Sequence, residues 1–315
     1  MKNIFLLLLT VSVSVNAQNI KQYRIAYNVA VKDSSGKSNY EIFSMDTDGS
    51  NKKNITNNGD VAWAYHAFEN YLFYISDRDT CYRCFFLYAM DADGKNSKKI
   101  SGLQLEDSWM DTRNNGKEII VSGRLGKNIR HQLFIINTET GAYSQITNDT
   151  AAMYTDPSFS PDGKQVVFTY RKNKRDKTQN EELYLMNADG SSLQQLTYYP
   201  QNDVSRNDNG YKAGAAQWHP SENFISYISM QGGRHNIYAV SPNGKKQWKL
   251  TANHFSEGWH NWSADGKWLT FDMANEDETQ YHIMLMNWQT KELKQLTDAT
   301  HKYQQSPVFV EINQQ

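Results

Sequence analysis

Little in this sequence is in excess, and several things are scarce. Among its 315 residues are two cysteines and six prolines, and basic and acidic residues almost cancel, 33 against 34. Such balance leaves no electrostatic footprint for nucleic acid or an anionic membrane surface. After the first fifteen residues no apolar stretch approaches the 18 residues a membrane helix requires. The two cysteines form the single stretch Cys81-Tyr82-Arg83-Cys84. Thioredoxin-like redox chemistry needs a βαβ setting that the surrounding pattern lacks. Covalent haem attachment needs a histidine next, where Phe85 stands. A short-range Cys81–Cys84 disulfide closing a loop is the expectation in an oxidising compartment.

What is present begins with a leader. Lys2 precedes the apolar run "IFLLLLTVSVSV" (4–15), and "VNA" (15–17) places small residues before Gln18. This is the pattern of a secretory signal peptide cut after Ala17, too short for a membrane span. Gln18 rather than cysteine follows the cut, which speaks against a lipid anchor. Losing Lys2 moves the net charge from −1 to −2. A periplasmic or secreted monomer is expected, with residues 18–315 as one domain.

The remainder is rich in aromatic and β-branched residues and in Asp-Gly and Asn-Gly turns, a sheet composition. "SFSPDGKQVVFT" (158–169) returns as "NWSADGKWLTFD" (261–272). A second phrase occurs six times and closes on Thr56, Ser101, Thr147, Thr197, Thr251 and Thr297, at steps of 45, 46, 50, 54 and 46 residues. That period, with four strands per unit, predicts the blades of a propeller. In the unit at 154–197, strands fall at "YTDPSFS", "QVVFTY", "ELYLMN" and "LQQLT". Leu183 and Leu185 face one way and Tyr184 and Met186 the other, so both faces are apolar. The first unit opens on a second strand, "YRIAYNVA" (23–30), and the chain ends on what reads as a first strand, "YQQSPVFVEI" (303–312). An all-β, six-bladed ring of four-stranded antiparallel blades is therefore predicted, closed by the C-terminal strand in the first blade. Loss of the residues after 302 is expected to destabilise the whole. Asp162 and Asp265 are read as turn residues.

"FSPDGKQVVFT…ELYLMNADGSSLQQLT" and "WSADGKWLTFD" resemble the propeller repeat of the TolB family, the periplasmic component of the Tol system, over residues 23–312. The resemblance implies an exported, non-catalytic propeller that binds a protein or peptide in the cell envelope. It does not extend to the α/β domain that precedes the propeller in TolB, because strand structure begins here near residue 23. The repeat is also similar to that of prolyl-oligopeptidase-like enzymes, but their G-x-S-x-G nucleophile elbow is absent. A third similarity, to oligogalacturonate lyases with their His-rich metal site, keeps a polysaccharide-active enzyme or glycan-binding accessory as the alternative.

Turns between strands one and two, and three and four, are compact and share one face. Long loops gather on the other, the longest at 197–217, and binding is expected on that face and at the channel mouth. Candidate residues there are His254, His301, Tyr154, Trp109, Trp259, Arg206 and Tyr211. Trp and Tyr faces suit a peptide or a sugar ring, whereas His254, His301, Tyr211 and Arg206 are the groups a lyase could recruit. His131, His235 and His260 are also near that face or in an inner strand. No H-x-H or H-x-x-x-H pair enforces convergence of imidazoles, so neither a metal nor another cofactor is expected. The basic run "RKNKRDK" (171–177) reads as a solvated hairpin tip.

Overall fold

The computed structural model describes residues 22–32, 38–200, 211–231 and 233–312. The leader, Arg206 and most of the longest loop lie outside them. Every helix or strand among the described residues is a strand, paired antiparallel with its sheet neighbours. Four sheets of four strands and one of eight are arranged as a propeller.

The unit expected at 154–197 is found at Met153–Phe159, Gln165–Arg171, Glu182–Asn187 and Gln194–Gln195. Leu183 and Leu185 enter one core with Ile225 and Tyr227 of the following sheet. Met186 enters another, with Ile120 and Leu133 of the preceding one. The strand is thus sandwiched, as its double apolar pattern requires. Residues Gln304–Ile312 pair with Gln22–Lys32, so the C-terminal strand completes the sheet built from the N-terminal residues.

The eight-stranded sheet departs from the simple repeat. Lys98–Leu105 runs on past Ser101 and pairs with Glu118–Leu125, through Gln104↔Arg124 and Leu105↔Gly123. Gly123 permits this approach, because a Cβ there would press on Leu103, Phe134 and the Gln104 carbonyl. Two four-strand sets are joined along this seam.

The recurring phrases have local causes. Asp162 accepts from the Ser160 hydroxyl at 2.6 Å and from the Lys164 N–H at 3.1 Å. Asp265 does the same with Ser263 and Lys267. Both are turn residues, as read. The closing threonine is a lock between strand three and the next connection. Thr197 Oγ1 accepts the Leu183 N–H at 2.9 Å and donates to Glu182 at 2.6 Å, whose other oxygen accepts the Tyr199 N–H at 2.7 Å. Thr56 repeats this with Ile42 and Glu41. Thr147 and Thr297 accept from Leu133 and Ile283. In the unit before it, the acid comes from elsewhere: Thr251 donates to Glu257, which itself accepts the Ile237 N–H.

A glycine of the second tight turn then rests on a neighbouring unit. Gly49, at φ +89°, lies over Leu296, where a Cβ would come within 2.8 Å of the carbonyl oxygen. Gly94 sits in the same way on Ile55. In each case the carbonyl belongs to the residue before a closing threonine.

Nearer the axis, a polar residue in strand two reaches the first strand of the next unit. Asn28 exchanges bonds with the Ala64 N–H and carbonyl, at 2.7 and 3.0 Å. Ser122 donates to the Tyr154 carbonyl, and Thr169 to that of Ala213. Asp272 accepts the Ser306 N–H at 2.9 Å. These first strands bulge at Asp156, Ala215 and Ser306, all with φ near +50°. A bulge takes backbone groups out of the ladder, and the side chains satisfy them.

Two outcomes are expected of the lock. Thr197→Val strips the partner from the buried Leu183 N–H and from Glu182, and should cost about 2–4 kcal/mol in a denaturant titration. Burial pushes the Glu182 carboxyl up to about 7, against its bonds from Thr197 and Tyr199. Its folded value thus lies above the ordinary 4.5, so the folded chain holds this proton more tightly and gains stability as the pH falls through 7. Glu182→Gln cannot titrate. The wild-type chain should therefore gain about 2 kcal/mol on the variant between pH 8 and pH 5.

Candidate binding site in the channel

The first strands of the units surround a channel with two unlike ends. On the side of the compact strand-one-to-two turns is a cavity of about 680 Å³. Tyr65, Trp109, Trp218 and Phe309 supply aromatic wall, and His66, Asp111 and Ser158 supply polar groups. On the loop-rich side is a cavity of about 250 Å³, bordered by Trp259, Tyr281, His235, Asp272 and Glu278. Between the two lie the bulged residues and their rings: Tyr65 meets Trp109 edge-on at 5.5 Å, and Trp63 meets Trp259 at 5.8 Å.

Polar groups of the wide cavity are mostly committed. Asp111 accepts from the Phe159 N–H at 2.8 Å and from Ser158 at 3.0 Å. His66 Nδ1 stands 3.7 Å from Asp111, and its Nε2 is 2.9 Å from the Thr112 hydroxyl. Burial raises the Asp111 carboxyl and lowers the His66 imidazole, each opposed by the other's charge. For each group burial outweighs the partner's charge. Tyr65 donates to Asp107, and burial followed by that carboxylate holds its phenol well above the ordinary value. The indole N–H donors of Trp109 and Trp218 are buried and have no acceptor.

Residues 64–310 match the family model of the TolB beta propeller domain. The chain belongs to that family. Its propeller is similar to the Tol-Pal system protein TolB of Francisella tularensis subsp. mediasiatica (strain FSC147), 28% identical over 194 residues, which are 60% of this chain and 40% of that protein. The chain thus matches well under two thirds of its curated relatives' length. TolB from Acinetobacter baumannii superimposes with a TM-score of 0.69 at 16% identity, over 91% of this chain and 66% of that one. An oligogalacturonate lyase from Vibrio parahaemolyticus does so with a TM-score of 0.55 at 15% identity, over 90% and 83%. At such identities the likeness is one of fold.

In this TolB-type propeller the sequence-derived candidates do not form one cluster. Trp109 borders the wide cavity and Trp259 the narrow one, at opposite ends of the channel. Tyr154 is core, packed on Phe168 and Tyr170 at 5.5 and 5.1 Å. Tyr211 is stacked on Tyr199 at 4.9 Å. His254 is exposed, with its carbonyl accepting from Arg234, and His301 lies edge-on to Phe43 at 5.3 Å. The two histidines follow a fourth strand, at the far edge of its sheet from the channel. Three or four residues of connection bring them only as far as the third strands, where Arg234 and Phe43 stand. Cys81 and Cys84 are disulfide-bonded, with Cα atoms 5.1 Å apart. Among the described residues no three of His, Cys, Asp and Glu converge as metal ligands.

Sequence reasoning passed over Trp218, His66 and Asp272. Trp218 was within reach: "QWHPSENFIS" (217–226) aligns with "SFSPDGKQVV" (158–167) and puts Trp218 at the Phe159 position. Asp272 was visible only as the polar member of an apolar strand.

Gly258 tests how tightly this end is packed. A Cβ there would overlap the Asp272 carboxylate. Gly258→Ala should lower stability by about 1–3 kcal/mol. Adding Asp272→Ala should recover part of that loss, a coupling read from the four thermal or denaturant midpoints.

Proposed function

We propose that the chain is an exported, non-catalytic propeller of the cell envelope that binds a protein or peptide segment in its channel. On this reading residues 1–17 are a cleaved signal peptide and 18–315 one propeller domain, periplasmic or secreted. The eight-stranded sheet counts as two blades, giving six, and the pairing of Gln304–Ile312 with Gln22–Lys32 closes the ring. The seating of Gly49 on Leu296 supports closure. The TolB relatives, named as Tol-Pal system proteins, support an envelope role.

One observation carries the binding assignment: the wide cavity of about 680 Å³ holds two buried indole donors without acceptors between aromatic walls. Buried donors are costly unless a guest brings acceptors. An extended peptide offers carbonyls in series, and side chains that pack on Trp and Tyr faces. The wide end, opposite the long loops, is thus the principal mouth.

Panning a library of linear peptides against the purified chain should enrich a common sequence. Trp109→Phe keeps an aromatic face and removes the donor; it should weaken the best peptide at least tenfold in calorimetry while the chain stays cooperatively folded, with the melting temperature lowered by about a few degrees for the smaller buried ring. No enrichment, binding indifferent to Trp109→Phe and Trp218→Phe, or cleavage of oligogalacturonate by the chain would each reject the reading.

A further inference from the structure

The near-balance of charge over the whole chain conceals one segregated sector on the loop-rich face. Two strand-two-to-three connections there are cationic. One joins Glu118–Leu125 to Ile129–Asn137, and the other joins Gln165–Arg171 to Glu182–Asn187. They lie side by side. The Lys174 N–H of the second donates at 2.9 Å to the Ala151 carbonyl, just beyond the last strand of the unit that carries the first. Burial lowers the His131 imidazole; Glu106 opposes this, while the charges of Arg130, Lys174 and Arg171 add to it. Cations of both connections thus surround one ring.

The acids nearby are already used. Glu106 takes Arg130 through both oxygens at 2.9 Å. Glu181 holds Arg171 and Lys212. Asp176, the one acid between Lys172 and Lys177, accepts the Thr178 N–H and hydroxyl at 3.0 and 2.7 Å. Among the described residues no carboxylate pairs with Lys127, Lys172, Lys174, Arg175 or Lys177. All of these but the half-buried Lys174 are exposed. Like charges crowded in this way repel one another, and an anionic surface relieves the repulsion.

The shape of the sector selects among anions. Leu125 pairs with Ile129 at the neck of the first connection, and Gly126 follows at φ +60°, where a Cβ would meet nothing within 4 Å. The tip therefore stands out from the face. Leu125 is 36% exposed there, between Arg124 and Lys127 along the chain. A soluble polyanion has no use for a projecting leucine. A lipid headgroup layer does: it receives the apolar side chain while lysine and arginine meet its phosphates.

We infer that this sector docks the chain on an anionic phospholipid surface, with Lys127, Lys172, Arg175 and Lys177 against headgroup phosphates and Leu125 entering beneath them. The corresponding connection of the last unit carries the exposed Glu276, Asp277 and Glu278, which such a surface repels. One sector rather than the whole face makes contact. The wide cavity lies on the side of the compact turns, so its mouth stays clear of the lipid. The inference holds or fails independently of what that cavity binds.

The test is sedimentation of the chain with vesicles of phosphatidylglycerol and phosphatidylcholine in equal parts. Residues 1–17 are removed first, because their apolar run would itself enter lipid, and every described strand lies beyond them. Saturable binding is expected, at least tenfold weaker to pure phosphatidylcholine. It should also weaken at least tenfold when salt rises from about 0.1 M to about 1 M, which shortens the screening length from about 10 to about 3 Å. Lys127→Glu, Lys172→Glu, Arg175→Glu and Lys177→Glu together should cost at least tenfold in affinity, and Leu125→Ser alone severalfold. As a control, Lys95→Glu, Lys164→Glu, Lys245→Glu and Lys267→Glu on the compact turns change the net charge equally and should leave binding unchanged. No sedimentation with the mixed vesicles, equal binding to phosphatidylcholine, or a control set as damaging as the tip set would each overturn the assignment. So would unchanged affinity in Leu125→Ser, or soluble polyglutamate binding these tips where vesicles do not.

Discussion

Everything in this fold follows from sheets that are apolar on both faces. The strand Glu182–Asn187 gives Leu183 and Leu185 to one core and Met186 to another. No isolated sheet of this kind could keep water from both surfaces. Each must be covered twice, and its neighbours meet the same demand, so stability is shared along the series rather than held in any one unit. The C-terminal strand extends the same logic. By pairing with Gln22–Lys32 it gives that sheet its fourth strand.

Covering two faces with side chains forces a second requirement, because backbone at the seams between sheets is removed from water as well. The polar residues placed along the seams answer it. Threonine at the end of a unit accepts a strand-three N–H and is itself fixed by a buried glutamate, as in Thr197 with Leu183 and Glu182. Asn28, Ser122, Thr169 and Asp272 meet the backbone of the next unit's first strand. Their positions recur because the vacancies in hydrogen bonding recur. The repeated phrase is thus a record of packing and backbone satisfaction, with the aspartates of the tight turns included.

The proposed binding site lies where that regularity is incomplete. At the axis the first strands bulge, rings from several units meet, and a few polar atoms are left unmatched. Trp109 and Trp218, whose indole donors lack acceptors, border the wide end. On the proposed reading a guest at the wide end offers carbonyls to these donors.

The sequence by itself determined the class of fold, the four-strand unit, the turn roles of Asp162 and Asp265, and which strand would join the N-terminal sheet. Each depends on periodicity or on contacts within a few residues, which a linear pattern records. The seam joining Lys98–Leu105 to Glu118–Leu125 was decided by tertiary structure, since it needs Gly123 to admit a neighbouring strand. So was the site. Trp109 and Trp259 occupy similar places in their units, yet they border opposite ends of the channel. His254 and His301 read as channel residues from their spacing after Thr251 and Thr297, but that spacing is measured from a strand at the far edge. Whether a buried polar atom finds a partner depends on groups from other units converging in space, and no spacing along the chain encodes that.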